Sequence, residues 1–458
     1  MRPILAATEY EMALQALSLD EIRQAAAAVA SAAETLMEKH SLERAVFLSG
    51  KPLQRIALRA AERLVQQGKG ASVALLDEDE LPDLSEALVC DMLFAPSMDE
   101  ALSPKRTAWI RSIDGSGSPL LSVAVPVGVD PDTGRAGEMA AKAEITVALY
   151  AYLPGLFLHD GLDRCGEIRP AGGETDSPME LARFEYEDTK RLLPPRKRTA
   201  HKGDSGKALL CVGSPKYVGA ALLSARACLA AGCGILYVAC PDVVREALWR
   251  LPEAIGTPVG TKWNGESCRT AIRAIEGMKT IGLGCGVGSG DISPLLEAAL
   301  KAKLPMVLDA DGLNCLSHHP ELFSLLHEKA VLTPHPGEMG RLTGLPADRV
   351  TDDPISIARD YARRWGCTVL LKGAATVVSD GNRTRIVAEG NAGLGKGGSG
   401  DVLTGIVTGL LSQGIEPFTA ACLGSFLLGT SADRAFELLK ERMLRATNVI
   451  EALEDWNE

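Results

Sequence analysis

The stretch Gly390-Asn-Ala-Gly-Leu-Gly-Lys-Gly-Gly-Ser-Gly-Asp401-Val-Leu-Thr-Gly405 places a run of small residues and one carboxylate directly before an apolar segment. Glycines at 397, 398 and 400 allow the backbone to turn sharply and to approach a ligand closely. The following run, residues 402–411, predicts a helix whose first amides point back at the loop, an arrangement that binds phosphate. Asp401 at that helix start is either a functional carboxylate or a simple N-cap. The glycine density favours a functional role, because an N-cap needs no glycine cluster before it.

The size and composition of the chain indicate a multidomain globular protein. Its 458 residues are too many for one ordinary domain and predict two or three. Hydrophobic residues make up 46% and charged residues 23%, and no apolar run is long enough to cross a bilayer. The N-terminus turns polar before a signal-peptide core develops, so we expect a cytoplasmic protein with no membrane partner.

Charge and cysteine usage exclude further classes of protein. The formal net charge of -11 opposes binding to nucleic acid, so an anionic ligand must be held by local groups. The 11 cysteines show no paired spacing. Several, such as Cys211, Cys228 and Cys240, lie in apolar runs where free thiols behave as small hydrophobes. We therefore predict neither disulfides nor a zinc site, and no residue is assigned as a metal ligand.

A composition shift from Pro170 to Arg198 predicts a linker, placed at 173–200, between two α/β halves. In the first half, apolar runs at 45–48, 72–76 and 121–126 alternate with helical patterns such as 53–67. Short apolar runs recur in the second half, most of them separated by enough residues for a helix: 208–212, 235–239, 280–283, 306–308, 330–332 and 369–371. Continuous apolar strands of this kind are typical of parallel sheets covered on both faces.

Further motifs follow predicted strands, and ligands bind open α/β sheets at those strand ends. Lys372 and Gly373 suit nucleotide phosphate or ribose, although a surface lysine at a turn is an equal alternative. His335 lies between two prolines that fix the local backbone, which favours a ligand contact over a rigid loop residue. The glycine-rich segment 282–288 indicates close packing against a ligand. Asp309-Ala-Asp311-Gly-Leu-Asn314 could approach a magnesium ion or a hydroxyl, and an Asx turn explains it nearly as well.

Six ordered motifs resemble those of ADP/ATP-dependent NAD(P)H-hydrate dehydratases. They are 201–206 (HKGDSG), 219–223 (GAALL), 309–313 (DADGL), 333–338 (TPHPGE), 371–373 (LKG) and 397–405 (GGSGDVLTG). The resemblance covers residues 185–458 and implies a ribokinase-like domain that restores NADH or NADPH from the 6S hydrate while consuming ADP or ATP, with Mg²⁺ expected. It implies nucleotide contacts at Lys372, Gly373, Ala374, Ala375, Thr376, Gly398, Ser399 and Gly400. It implies hydrate contacts at Ala220, Gly284, Gly286, His335 and Asp401.

The chemistry of such a reaction fits the residues. Hydroxide is a poor leaving group, and transfer of the terminal phosphoryl group of ADP to the hydroxyl would create a better one. Asp401 is the natural acceptor of the hydroxyl proton, and amides 398–401 stabilise the charge on the transferred group. Lys202, Lys372 and Lys396 are candidate charge partners, ranked below the backbone amides.

The first half, residues 1–172, resembles the Rossmann-like three-layer domain of NAD(P)H-hydrate epimerases, most clearly at 142–156 and 165–168. Where that family has a glycine-rich phosphate loop, this chain reads Ser49-Gly-Lys-Pro-Leu-Gln-Arg-Ile56. Where it has Asp-x-Pro-Ser-Gly, this chain reads Ala124-Val-Pro-Val-Gly128. We therefore predict a domain without epimerase activity, and the same losses argue against its potassium site. Asp130 and Asp132 could substitute, but solvated turn residues are the preferred interpretation.

Several alternatives remain open from the sequence. A ribokinase-like kinase of a small alcohol or vitamin precursor would use the same loop and base. A non-catalytic nucleotide-binding regulator is a second alternative, which the intact Gly-Ser-Gly-Asp loop opposes. We expect a homo-oligomer, and the loss of epimerase chemistry points to a separate active epimerase as a partner. The sequence leaves open whether the nucleotide is ADP or ATP and whether the preferred substrate is NADH hydrate or NADPH hydrate.

Overall fold

The computed structural model describes residues 2–76, 80–95, 104–172, 180–193, 199, 201, 203 and 205–455. The chain divides into two compact units, residues 2–183 and residues 184–458. The division falls inside the predicted linker, whose residues 173–179, 194–198 and 200 lie outside the described residues. The rest of that linker holds a short strand and a short helix. In the described parts of the chain, no helix has the length and hydropathy of a membrane span.

The N-terminal unit alternates strands with helices. Its strands are β1 (Arg2–Pro3), β2 (Arg44–Ser49), β3 (Gly70–Leu75), β4 (Leu88–Met92), β5 (Leu120–Val123), β6 (Ile145–Leu149), β7 (Glu167–Ala171) and β8 (Leu181–Arg183). Its described helices are α1 (Ala7–Gln15), α2 (Leu19–His40), α3 (Gln54–Gln66), α4 (Pro104–Ser116) and α5 (Gly161–Arg164), with 3₁₀ turns at Lys51–Leu53 and Pro154–Leu156. Strands β3-β2-β4-β5-β6-β7 are parallel neighbours in that order, and β1 pairs with β8 antiparallel.

Both faces of this parallel sheet are covered. Val46 and Leu48 of β2 pack with Trp109 and Ile113 of α4 in one apolar cluster. Phe47 lies on the opposite face, since side chains alternate along a strand, and it is also fully buried. The three-layer α/β arrangement predicted for this half is therefore confirmed.

The C-terminal unit repeats the pattern on a larger scale. Its strands are β9 (Lys207–Cys211), β10 (Ile235–Cys240), β11 (Ala254–Pro258), β12 (Thr280–Leu283), β13 (Met306–Leu308), β14 (Ala330–Leu332), β15 (Thr368–Leu371), β16 (Thr376–Ser379) and β17 (Thr384–Val387). They lie side by side in the order β17-β16-β15-β14-β13-β12-β9-β10-β11. Neighbours from β15 to β11 are parallel, whereas β15, β16 and β17 form an antiparallel meander.

The helices of this unit lie on both faces of its sheet. They are α6 (Tyr186–Leu192), α7 (Val218–Ala230), α8 (Asp242–Ala247), α9 (Gly265–Ala274), α10 (Ser293–Lys301), α11 (Asp311–His318), α12 (Pro336–Thr343), α13 (Ala347–Asp352), α14 (Pro354–Trp365), α15 (Ser399–Ser412), α16 (Pro417–Leu439) and α17 (Ala446–Glu454). Shorter 3₁₀ segments are Leu248–Arg250, Pro320–Leu325, Ala392–Leu394 and Glu441–Met443. Met306 and Leu308 of β13 pack in one apolar cluster and Val307 packs in another with α15 and α16.

The central strands are short apolar runs buried on both faces, as the sequence pattern predicts. Their carboxyl ends meet at one edge, which brings the loops after β9, β12, β13 and β15 together.

Candidate active site

The glycine loop is fixed at both ends before α15 begins. Asp433 of α16 accepts hydrogen bonds from Gly390 N (2.9 Å) and Asn391 Nδ2 (2.8 Å). Gly398 has a φ of 104°, and a Cβ there would lie 2.8 Å from Leu223 Cδ1. Only glycine fits this left-handed position without strain. The loop therefore delivers the chain to the helix start in one defined orientation.

Helix α15 begins three residues earlier than the predicted run, at Ser399, with Gly398 at its N-cap position and no side chain capping it. Asp401 is thus the third helical residue, and the interpretation of Asp401 as a simple N-cap is wrong. The first amides of a helix have no partner within the helix. Those of Ser399, Gly400 and Asp401 are consequently available to an anion.

Asp401 lies in a half-buried, electronegative environment. Burial, together with the negative charge of the neighbouring Asp309, raises the pKa of its carboxyl to about 6, while the Cys285 thiol and the Lys372 ammonium oppose the shift. Because general bases work best with a pKa near the operating pH, a carboxyl held at this value is suited to accept a proton.

A buried charge cluster lies against the start of α15. Asp309, after β13, accepts hydrogen bonds from Lys372 Nζ at Oδ1 (2.7 Å) and from Thr404 Oγ1 at Oδ2 (2.9 Å). Lys372 Nζ is also 3.6 Å from Glu338 Oε2. Burial alone would lower the pKa of Lys372, but Asp309 and Glu338 raise it above its ordinary value. Lys372 is thus held as a cation, 3.6 Å from the point where Gly400 would carry a Cβ.

The remaining residues of the predicted nucleotide segment form the turn after β15. Gly373 and Ala374 are exposed, Ala375 is buried, and Thr376 opens β16. Lys396 is directed elsewhere, because its ammonium donates to the carbonyls of Arg442 (2.7 Å) and Leu444 (2.8 Å). Lys202 lies outside the described residues. Of the three candidate charge partners, the structure brings Lys372 to the start of α15.

A cavity of about 1010 Å³ opens beside Asp401. Its lining residues are Ser214, Pro215, Lys216, Tyr217, Ala220, Lys262, Trp263, Asn264, Gly265, Gly286, Val287, Gly288, Ser289, Gly290, Asp291, Asp311 and Asp401. Ala220 and Gly286 adjoin each other, since a Cβ on Gly286 would lie 2.7 Å from the Ala220 Cβ. The structure therefore brings together three of the residues predicted to contact the hydrate, namely Ala220, Gly286 and Asp401.

Gly284 and His335 lie outside that lining. A Cβ on Gly284, with its φ of 125°, would collide with the carbonyl oxygen of Asp309. His335 caps α12, where its Nδ1 accepts hydrogen bonds from Gly337 N (3.0 Å) and Glu338 N (3.4 Å). Glu338 Oε2 in turn accepts from His335 N (2.9 Å). Through Glu338, His335 supports the charge cluster, and its contact with the hydrate stays a prediction.

Sequence reasoning missed one side of the cavity, made of Lys216, Tyr217, Lys262, Trp263 and Asn264. Trp263 is buried and donates from Nε1 to Gly213 O (2.7 Å), which ties the loop after β11 to the loop after β9. Asn264 caps α9. These residues carry no recognisable spacing, and the strand order of the sheet alone brings them beside Asp401.

The carboxylates near Asp401 are largely engaged by protein groups. Asp311 accepts from Gly288 N (2.7 Å) and Asp309 is paired with Lys372. Among the residues that the structure describes, no group of three or more His, Cys, Asp or Glu side chains could hold a metal ion. Asp309 and Asp311 make these hydrogen bonds within the protein, and their approach to a magnesium ion or a hydroxyl stays a prediction.

At the matching edge of the N-terminal unit, buried side chains of the described residues lie close to the turn after β2. Gly50 follows β2, and a Cβ there would lie 3.5 Å from Arg106 Nη2. Arg106 is buried and donates to Leu93 O (2.9 Å). Phe94, also buried, packs edge-on against Tyr10 with ring centroids 5.5 Å apart.

The carboxylates of this edge are also engaged. Asp91 of β4 is 1% exposed and accepts hydrogen bonds from Val127 N (2.8 Å), Ser122 Oγ (3.0 Å) and Leu93 N (3.1 Å). Burial raises the pKa of Asp91 to about 6.

Ala124 follows β5 with a φ of 75°, and its side chain is buried. Asp130 accepts from Asp132 N, Thr133 N and Thr133 Oγ1, all within its own turn. Asp132 accepts from Ala7 N (2.8 Å). The turn interpretation of Asp130 is consistent with these bonds.

Two known protein families match parts of this chain. Residues 208–454 match the family described as NAD(P)H-hydrate dehydratase, and residues 22–155 match the YjeF-related protein N-terminus. A bifunctional NAD(P)H-hydrate repair enzyme of Vibrio cholerae is 33% identical over 86% of this chain and 80% of its own. The enzyme of the same description from Moorella thermoacetica is 32% identical over 91% of this chain and 83% of its own.

Solved structures match the C-terminal unit. The ADP/ATP-dependent NAD(P)H-hydrate dehydratase of Bacillus subtilis, co-crystallised with ATP and Mg²⁺, is 28% identical with a TM-score of 0.54, over 61% of this chain and 98% of that one. A ribokinase-like superfamily protein of Enterococcus faecalis is 23% identical with a TM-score of 0.53, over 62% of this chain and 97% of that one. The predicted ribokinase-like fold is thereby confirmed.

Proposed function

The chain belongs to the family of bifunctional NAD(P)H-hydrate repair enzymes, and we propose that its dehydratase centre is the start of α15 together with the Asp309-Lys372 cluster. The reaction is the ADP-dependent dehydration of the 6S hydrate, which restores NADH or NADPH. The observation that carries this assignment is the position of Asp401, on the wall of a large cavity and directly after an uncapped helix start.

The nucleotide binds at the junction of α15 and β15. The free amides of Ser399, Gly400 and Asp401 and the positive end of α15 hold its terminal phosphate. Lys372 adds a fixed positive charge beside Gly400, because Asp309 and Glu338 keep it protonated and in place. The turn from Gly373 to Thr376 takes the rest of the nucleotide, and Ser399 can donate to phosphate through its hydroxyl.

The hydrate enters the cavity with its ring at Ala220, Gly286 and Asp401. Its C6 hydroxyl oxygen attacks the terminal phosphorus of ADP, the bond to the bridging oxygen breaks, and AMP leaves. Asp401 accepts the hydroxyl proton, and the helix amides stabilise charge on the phosphoryl oxygens. The ring nitrogen's lone pair then expels phosphate, and loss of a proton from the adjacent carbon forms the ring double bond.

Mg²⁺ is expected to arrive with the nucleotide. It is commonly bound by substrate phosphates and one or two carboxylates rather than by a protein cage. The donor set here fits that limit, since Asp309 is paired with the Lys372 ammonium and Asp311 accepts a hydrogen bond from a backbone amide. Bound Mg²⁺ would neutralise phosphate charge, and the steps assigned to Asp401 and Lys372 do not depend on it.

The test is to incubate the purified full chain with chemically prepared 6S hydrate and to follow recovery of reduced-nicotinamide absorbance with ADP, with ATP and with neither. We expect recovery that requires a nucleotide and releases one phosphate per cofactor restored. Recovery at the same rate without nucleotide, or phosphate transfer to a small alcohol in place of the hydrate, would overturn the proposal.

A second proposal is that the N-terminal unit has no epimerase activity. It is supported by Ala124 in place of the family's aspartate and by Arg106 in the space beside Gly50. Asp130, the carboxylate that could substitute, is committed to its own turn. The Arg106 guanidinium beside Gly50 also argues against a potassium site at that position. The V. cholerae and M. thermoacetica relatives carry the description bifunctional, so this chain would be an exception among them.

The 6R hydrate tests this second proposal. With ADP and 6R hydrate alone, recovery of reduced cofactor should be no faster than spontaneous epimerisation, and an added active epimerase should raise it to the 6S rate. Rapid turnover of the 6R form by this protein alone would refute it.

The N-terminal unit is proposed to contribute to a homo-oligomer. Large apolar side chains on α1, α2 and α3 are exposed, namely Met12, Leu19, Leu58 and Val65. Light scattering of the full chain gives the test, and a monomer at micromolar concentration would contradict this part of the proposal.

A further inference from the structure

Two lysines on the cavity wall have no assigned role. Lys216 lies in the loop after β9 and Lys262 in the loop after β11, and both line the cavity that contains Asp401. Both side chains are exposed. The Lys216 ammonium lies 5.2 Å from the centre of the Tyr217 ring. Within the described parts of the chain, neither ammonium has a carboxylate partner. The ammonium groups of both lysines are therefore available to an anionic ligand in the cavity.

The strand order places Lys262 far from the reacting centre, whereas Lys216 lies between the two, in the loop after β9. From β13, which leads to Asp309, the sheet runs through β12, β9 and β10 to β11, which leads to Lys262. Four strand spacings of about 4.8 Å separate β13 from β11, which is roughly 19 Å. The cavity extends between these two strands, because its lining includes both Asp401 and Lys262. A ligand that reaches both Asp401 and Lys262 must be long.

The cavity wall carries charges of both signs. The carboxylates on its wall are Asp291, Asp311 and Asp401. Asp291 accepts hydrogen bonds from Ser293 N (2.9 Å) and Oγ (2.7 Å), and Asp311 accepts from Gly288 N, so both charges are partly satisfied by the protein. Lys216 and Lys262 are the cations of the described lining. Lysine binds phosphate as a point charge, and a chain of net charge -11 needs such local cations to retain an anion.

We propose that Lys216 and Lys262 bind the phosphate groups of the dinucleotide hydrate and thereby place its hydrated ring at Asp401. The inference rests on the function proposed above, since it takes the hydrate as the occupant of the cavity. A dinucleotide carries its reactive ring at one end and its phosphates farther along, which matches a cavity that contains Asp401, then Lys216 after β9 and Lys262 after β11. The phosphates concerned are the pyrophosphate, common to both hydrates, and the 2′-phosphate of the NADPH form. ADP does not bind here, because its phosphates lie at Lys372 and α15.

The experiment compares Lys216→Ala, Lys262→Ala and the double variant with Lys301→Ala, an exposed lysine on α10 outside the cavity. Steady-state kinetics at saturating ADP give KM and kcat for NADH hydrate and NADPH hydrate, and a second series gives KM for ADP. Loss of both charges should raise KM for the hydrate about tenfold, equivalent to about 1.4 kcal/mol. We expect kcat to stay within about twofold and KM for ADP and the Lys301→Ala kinetics to stay at wild-type values. The Lys→Arg variants should keep most of the affinity.

A comparison of KM for the two hydrates shows which phosphate group the lysines bind. An equal increase in KM for both assigns the lysines to the pyrophosphate, and an increase confined to NADPH hydrate assigns them to the 2′-phosphate. Unchanged KM for both hydrates, or an increase in KM for ADP instead, would overturn the proposal.

Calorimetry with the reaction products NADH and NADPH separates this proposal from the proposed function, because it needs no turnover. Weaker product binding by the double variant, with wild-type binding by Lys301→Ala, supports the lysine assignment even if nucleotide-dependent dehydration is not observed. Equal binding by all variants refutes the lysine assignment even if dehydration is observed.

Discussion

Asp401 and Asp91 are two carboxyls whose pKa is raised to about 6 by burial, one in each unit of the chain. Asp91 is 1% exposed and receives hydrogen bonds from two backbone amides and Ser122. Asp401 lies on a cavity wall beside free helix amides. A raised pKa alone therefore does not mark a functional carboxyl. What distinguishes the two is whether the oxygen atoms are used by the protein or face a space that a substrate can enter.

The largest expected effect is a loss of activity. Asp401→Asn should lower kcat for ADP-dependent dehydration on the order of 10²-fold or more, because the amide keeps the shape of the side chain but cannot accept the proton. Nucleotide binding measured by calorimetry should persist. The control is Asp348→Asn, an exposed residue on α13, which should keep wild-type kinetics. Wild-type turnover by Asp401→Asn would remove this residue from the mechanism and break the comparison.

Lys372→Met should destabilise the C-terminal unit by about 3 kcal/mol and abolish nucleotide binding. The substitution leaves Asp309 and Glu338 as buried carboxylates without a counter-charge, and removal of one partner from a buried pair is costly. Urea unfolding and ADP calorimetry measure the two effects. A double variant, Lys372→Met with Asp309→Asn, should recover part of the stability but no nucleotide affinity. Equal stability of Lys372→Met and wild type would contradict the cluster's structural role.

Asp91→Ala should act on stability without affecting catalysis. It leaves the amides of Leu93 and Val127 buried without an acceptor, which costs about 3 kcal/mol in the free energy of unfolding of the N-terminal unit. The turnover of 6S hydrate should stay at the wild-type value in the fully folded protein. A loss of ADP-dependent turnover in this variant would show that the two units are coupled in catalysis.

The pH dependence separates the two roles of a raised pKa. Since Asp401 must be ionised to accept a proton, kcat/KM should fall about tenfold per pH unit below about 6, and Asp91→Ala should not move that profile. The contribution of Asp401 to the free energy of unfolding has the opposite pH dependence. The folded pKa is above the unfolded value, so Asp401 contributes a penalty that is present above pH 6 and fades as the pH falls from about 6 to 4.

Asp401→Asn should consequently raise the free energy of unfolding on the order of 2 kcal/mol at pH 7.5 and leave it unchanged near pH 4. Denaturant titrations at the two pH values give the measurement. An increase of the same size at both would show that burial of the charge is not its source.

The smallest expected change in the free energy of unfolding is at Ala124, which is compared with Gly398, a second residue with a positive φ. Ala124→Gly should change the free energy of unfolding by less than about 1 kcal/mol, because relief of the left-handed alanine offsets the loss of a buried methyl group. Gly398→Ala should lower activity, since the added methyl meets Leu223 and displaces the helix start. Equal and small effects of both changes would show that the loop before α15 adapts.

Much of the fold was predictable because apolar runs in this chain are short and fully buried. The runs at 306–308 and 330–332 coincide with β13 and β14, and parallel strands buried on both faces require that pattern. The predictions failed at the ends of individual strands and helices. The run at 121–126 is a strand only to Val123, since Ala124 turns with a positive φ, and α15 begins at Ser399, before the first apolar residue. Apolar patterns contain no information on such turns.

The sequence by itself determined the α/β class and the glycine loop with Asp401, and it predicted the loss of the expected groups at Ser49 and Ala124, because these depend on residues close together in the chain. Only the tertiary structure decided that Lys372 pairs with Asp309, that His335 is a helix cap and that Lys216 and Lys262 share a cavity with Asp401. The reason is the strand order. Residues far apart in the chain meet at one edge of the sheet, and their contacts follow from that order and from packing rather than from local spacing.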